Sequence, residues 1–123
     1  MNGDNLLIDT NIALYLLSGD DAISEFLDGY NVYLSFISEL ELLGYFEITE
    51  EGKRSIEVFL ADCIIIDFNE FIKQHTIELK QKYRMKLPDA IIAATSQYMN
   101  IPLFSADTGF EKVDELQFIK YVK

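Results

Sequence analysis

The chain has 123 residues, half of them apolar, with a single cysteine and a formal net charge of −11. This length and apolar content suit one domain over residues 1–123 with a buried core, and they exclude a disordered chain. The apolar runs are far too short to span a membrane, Asp4 stands where a secretory signal would be basic, and Cys63 has no disulfide partner, so a cytoplasmic protein is expected.

In chain order, Asn5 to Asp9 reads as a short buried strand ending in an acid. Helices follow over Asn11–Leu17 and Asp21–Leu27, split at Ser18-Gly19-Asp20. Val32 to Ser35 reads as a second strand and Ile37 to Phe46 as a helix. Another helix opens at Thr49-Glu50-Glu51, with acids where the helix dipole favours them. Asp62 to Asp67 looks like the clearest buried strand, with Cys63 inside it. Asn69 caps an amphipathic helix to about Tyr83. Pro88 starts the next, to about Tyr98, because proline suits a first helical turn. Ile101–Phe104 and Leu116–Tyr121 complete the strands. Strands separated by helices imply an α/β fold with a mostly parallel sheet covered on both faces. Ligands in such sheets bind at the carboxyl ends of the strands, near the switch in strand order.

The charge is unevenly placed. Residues 1–52 hold eleven acids and no Lys or Arg, whereas residues 53–123 hold ten of each. Five bases, Lys73, Lys80, Lys82, Arg84 and Lys86, fall within fourteen residues. This pattern fits either a solvated surface or a cation site beside an anion-binding edge.

Four acids occupy the expected region, and each has an ordinary explanation. Asp9 could cap the first helix. Asp89 sits in a first helical turn, where the dipole stabilises it. Asp107 could make an Asx-turn. Glu41 competes with Glu39, and the two point roughly opposite ways on a helix. Glu41 is preferred because it shares a face with Ile37, Leu40 and Gly44. Together, several carboxylates in one pocket would repel one another unless a cation compensated. An all-oxygen set selects Mg²⁺ or Mn²⁺, which can activate water and neutralise a phosphodiester.

Those residues resemble a known family. Leu7-Ile8-Asp9-Thr10-Asn11 is similar to the opening motif of the PIN domain, and Leu34 to Gly44 resembles the second. Leu87-Pro88-Asp89-Ala90-Ile91-Ile92-Ala93-Ala94-Thr95 resembles the third. Leu103-Phe104-Ser105-Ala106-Asp107 resembles the fourth, although many relatives carry an Asn–x–x–Asp-like run before a Phe. In pattern and length the chain is most similar to VapC-type toxins. The resemblance implies a Rossmann-like three-layer α/β/α sandwich and an Mg²⁺- or Mn²⁺-dependent endoribonuclease. It implies Asp9, Glu41, Asp89 and Asp107 as the catalytic and metal-holding acids, with Thr10, Asn11 and Ser105 in support. It also implies a homodimer, and inhibition by a cognate antitoxin whose C-terminal segment wraps the toxin near its site.

Other residues are weighed beside these. His75 reads as a surface residue, with no Ser or Cys partner for a triad. Lys82, Arg84 and Lys86 either steer the RNA backbone toward the site or simply end a helix. Most Phe and Tyr residues are expected in the core or a dimer contact. A phosphoacceptor receiver domain is the competing enzyme-like reading, but it needs adjacent acids after the first strand and a lysine after the last inner one. A PIN-like scaffold without catalysis is the remaining alternative.

Overall fold

The computed structural model describes residues 4–122, so the first three residues and Lys123 of the expected 1–123 span lie outside it. Five strands form one sheet in the order β3-β2-β1-β4-β5, and every pairing is parallel. They are β1 (Asn5–Ile8), β2 (Asn31–Ser35), β3 (Ile64–Ile66), β4 (Leu103–Ser105) and β5 (Phe118–Lys120). Six helices connect them: α1 (Thr10–Leu17), α2 (Asp21–Leu27), α3 (Phe36–Leu43), α4 (Glu50–Ala61), α5 (Glu70–Lys82) and α6 (Leu87–Met99).

The strand β1 lies at the centre and explains the layering. Successive side chains of a strand face opposite sides. Leu7 packs with Ile72 and Leu79 of α5 and the small Ala90, Ala93 and Ala94 of α6. Leu6 and Ile8 pack on the other side with Ile12, Ile23, Leu42 and Leu60, from α1 to α4. All three β1 residues are fully buried. Burial of each contributes about 1.5–3 kcal/mol. The result is the expected three-layer α/β/α sandwich.

Helix starts follow the caps that the sequence offers. Asp9, Asp20, Thr49 and Asn69 each accept a hydrogen bond from a backbone N–H in the first turn of their helix. This satisfies one of the donors a helix N-terminus leaves free.

Two expectations need correcting. The run Asp62 to Asp67 is not a central buried strand; only Ile64–Ile66 pair, they form an edge of the sheet, and Ile64 is 45% exposed. Cys63 precedes that strand, is half-buried, and has its thiol pushed up to about 11, first by burial and then by Asp62. The helix expected to reach Phe46 stops at Leu43 because Gly44 caps it. A side chain at Gly44 would meet the Leu40 carbonyl oxygen at 2.5 Å, so the close approach there requires glycine. Phe46, beyond that cap, is 97% exposed rather than in the core.

Candidate active site

The strand order places the site. The chain adds β2 and β3 on one side of β1 and then returns to add β4 and β5 on the other. The switch falls between β1 and β4, whose register pairs Ile8 with Phe104. The next residue of each strand line is therefore Asp9 beside Ser105. A crevice at carboxyl strand ends is where such a sheet binds ligands.

Asp9 is almost fully buried and does two things at once. Its Oδ1 accepts from Ile12 N at 2.9 Å, which caps α1, and its Oδ2 accepts the hydroxyl proton of Ser105. Burial raises its pKa above the usual carboxylate value; the Ser105 and Ile12 hydrogen bonds oppose the rise, and the Asp107 charge adds to it. Ser105 is itself fully buried, and its Oγ also accepts from the Asp107 N–H at 3.0 Å. One serine thus fixes two of the acids. Asp107 further turns its Oδ1 to Gly109 N at 2.8 Å, capping the short 3-10 turn Thr108–Phe110.

Asp89 occupies the first turn of α6, after Pro88, in a helix that has no side-chain cap of its own. Its pKa is raised, first by burial, then by the charges of Asp107 and Asp9; Lys86 pulls it down, and Glu41 pushes it up. The other three acids all act on Asp89, so the four expected carboxylates share one electrostatic neighbourhood.

Glu41 is exposed on α3, and its Oε1 lies 2.6 Å from Thr10 Oγ1. Thr10 in turn lies 2.9 Å from Ser38 Oγ. The basis for preferring Glu41 over Glu39 needs correction: Leu40 is 58% exposed, and the buried residues of α3 are Ser38 and Leu42. Glu39 is half-buried in the first turn. Glu41 is among the charges acting on Asp89. Ser38 escaped the sequence reading, although its position three residues before Glu41 puts both on one helical face. Asn11 is exposed in the first turn of α1, and no described hydrogen bond ties it to the acids.

The basic segment divides. Lys86 is the cation that acts on Asp89. Lys82 instead pairs with Asp114 at 3.5 Å and lies 5.4 Å over the Tyr83 ring. Arg84 is exposed, and its backbone carbonyl accepts from Lys112 Nζ at 2.7 Å. Lys82 also lines a cavity of about 950 Å³, together with Phe71, His75, Tyr98, Asn100 and Gln117. Asn100 and Gln117 precede β4 and β5, which puts that cavity at the amino ends of the strands, away from the acids. Its size does not make it the reaction site. His75 bridges helices there, with Nδ1 3.2 Å from Glu78 and Nε2 against the Gln97 side-chain oxygen.

The acids would offer oxygen donors only, with Lys86 among the charges acting on Asp89, a chemistry that suits a hard divalent ion. Among the described residues, no group of three or more Asp, Glu, His or Cys side chains stands close enough together to hold a metal ion as they are placed. Mg²⁺ commonly retains several waters, so a set of carboxylates that stand apart still fits it. Among the described residues no helix is long and apolar enough to cross a membrane.

The family model of the PIN domain matches residues 6–116. Among solved structures, the chain is similar to a toxin–antitoxin complex from Klebsiella pneumoniae, with 27% identity, a TM-score of 0.82, and coverage of 94% of this chain and 96% of that one. It is also similar to VapBC-1 from nontypeable Haemophilus influenzae, at 26% identity and a TM-score of 0.76, covering 94% and 97%. VapBC2 from Rickettsia felis, solved bound to a DNA fragment from its promoter, shares the fold at 22% identity and a TM-score of 0.81, covering 94% and 98%. A search of curated proteins finds no match.

Proposed function

The chain belongs to the PIN-domain family, and on that premise we propose that it is a divalent-cation-dependent endoribonuclease acting as the toxin of a toxin–antitoxin pair. One observation supports this most: Asp9, Glu41 and Asp107 come from three separate stretches of chain, yet the charge of each bears on Asp89, from a fourth. Structural need alone does not gather like charges, because they raise one another's pKa values and lower stability.

In this reading the four carboxylates hold Mg²⁺ or Mn²⁺. The ion, when bound, offsets the charge of the phosphodiester and makes a water a better nucleophile. The protein supplies orientation. Ser105 and the α1 N-terminus fix Asp9, Ser105 also anchors Asp107, and Thr10 directs Glu41. Lys86 and Arg84 draw the RNA backbone toward the acids, while Lys82 is engaged by Asp114. With a net charge of −11, long-range attraction to RNA is weak, so binding depends on these local bases. The catalytic unit is the single domain 1–123, working in the cytoplasm as a homodimer and silenced by a cognate antitoxin.

The test is cleavage of RNA by the purified chain with Mn²⁺ or Mg²⁺, against chelator and against Asp9→Asn and Asp89→Asn. Cleavage that survives both substitutions would remove the reading. Growth arrest on expression, relieved by a co-expressed neighbouring reading frame, tests the toxin role. The open spacing of the acids favours a second reading, a PIN-like binding scaffold without catalysis. Calorimetry separates the two: the scaffold stands if Mn²⁺ does not bind.

A further inference from the structure

Ser38 is fully buried, carries a hydroxyl, and has no part in the function just proposed. It precedes Glu41 by one helical turn on α3, so the two side chains share a face. That face meets the first turn of α1, where Thr10 Oγ1 stands 2.9 Å from Ser38 Oγ and 2.6 Å from Glu41 Oε1. A hydroxyl has one proton to give, and an ionised carboxylate only accepts. Thr10 therefore donates to Glu41. The Ser38 proton is left with Thr10 Oγ1 as the acceptor within reach, and no other described hydrogen bond takes it. One proton cannot serve both contacts of Thr10, so with that proton on Glu41 the 2.9 Å contact is filled by Ser38, and donation runs from Ser38 to Thr10 to Glu41.

We propose that Ser38 is a positioning residue: acting through Thr10, it holds the Glu41 carboxylate at the acidic site and thereby sets that site's affinity for a divalent cation. The proposal rests on the cation-binding role given to Glu41 above. Glu41 needs such help because it is exposed on a long, unbranched side chain, free to sample several rotamers in water. Thr10 is a stiff anchor, being β-branched and next to the buried Asp9. Its hydroxyl could still rotate away from Glu41. With Ser38 donating to it, the remaining proton direction is toward the carboxylate.

The experiment is calorimetric titration of Mn²⁺ into metal-free wild type, Thr10→Val, Thr10→Ser, Ser38→Ala and the Ser38→Ala/Thr10→Val double variant. Thr10→Val should weaken binding about tenfold or more, the scale seen when a partner of a metal-holding side chain is removed. Ser38→Ala should weaken it by a smaller factor, and Thr10→Ser, which keeps the hydroxyl, should bind as wild type does. If Ser38 acts only through Thr10, the double variant binds no worse than Thr10→Val alone. Ser38→Ala binding like wild type, or losses that multiply in the double variant, overturns the relay and leaves the cation site standing. A wild type that binds no Mn²⁺ overturns both.

Discussion

Ser105, the last residue of β4, donates its hydroxyl proton to Asp9, which follows the neighbouring strand β1 ninety-six positions earlier in the chain. The bond crosses the strand switch and is buried. It opposes the rise that burial imposes on the Asp9 pKa. Ser105→Ala should therefore raise that pKa further and move the acid limb of the cleavage rate to higher pH. It also strips the Asp107 N–H of its acceptor, so urea unfolding should show a loss of about 1–3 kcal/mol. An acid limb in the same place as wild type would mean that Asp9 does not govern it.

Replacing Asp9 by Asn should separate stability from activity. The Asp9 carboxyl is raised above 3.8, chiefly by burial. A carboxyl that holds its proton more tightly in the folded than in the unfolded chain costs stability at any pH above its folded value, and that cost disappears below about 3.8. Asn keeps the oxygen that accepts from Ile12 N and caps as well as Asp does, while its amide NH2 replaces the oxygen that accepted from Ser105 and donates to the Ser105 Oγ instead. At pH 7 without metal, Asp9→Asn should unfold at a higher temperature than wild type. The gap should narrow as pH falls toward 4. Cleavage should drop roughly 100-fold or more, as when a charge-stabilising group is removed from a reaction centre. Thermal melts across pH, with rates at pH 7, check both halves; a difference from wild type that does not change between pH 7 and pH 4 would contradict the cost assigned to burying the charge.

A bound cation should reverse the same penalty in the native protein. Mn²⁺ at 100 times its dissociation constant stabilises a folded state that binds it by about 2.7 kcal/mol. In a domain of this size that is a rise of several degrees in Tm. Asp9→Asn and Asp89→Asn should lose most of the rise, and Asp28→Asn, an exposed residue at the end of α2, should keep it. Equal rises in all four proteins would mean that Mn²⁺ binds elsewhere.

Much of this architecture is local in origin and could be read before the structure. Asp9, Asp20, Thr49 and Asn69 announce helix starts because each side chain caps a helix within three residues of itself. The acids at strand ends follow from the alternation of strand and helix. What stayed hidden depends on which strands are neighbours. A run such as Ile64-Ile65-Ile66 looks the same at the centre of a sheet and at its edge, since its length and apolarity are equal in both. The Asp9–Ser105 pairing needs β4 to return beside β1, which no local pattern states. The helical wheel groups Glu41 with Leu40, yet Leu40 is 58% exposed and the buried residues of α3 are Ser38 and Leu42. What ties Glu41 to the neighbourhood of Asp9 is the Thr10 hydroxyl, a contact between two helices that a helical wheel does not contain.

Charge reversal in the basic segment should sort its members by position rather than by charge. Lys86 precedes α6 and acts directly on Asp89, whereas Lys82 is turned to Asp114 and the cavity at the amino ends of the strands. Substituting one lysine that neutralises an RNA phosphate lowers the salt dependence of single-stranded RNA binding by about 0.7 in log–log slope. Lys86→Glu should show that decrease. It should also raise the Asp89 pKa, because the cation that pulls it down is gone, and so shift the acid limb of cleavage upward. Lys82→Glu should leave the slope and the acid limb where they are; it breaks only an exposed ion pair, which contributes little to stability. Binding isotherms at several salt concentrations, with pH–rate profiles of both variants, decide the matter. If Lys82→Glu and Lys86→Glu lower the slope equally, the RNA path covers both ends of the segment and the placement given to Lys86 fails.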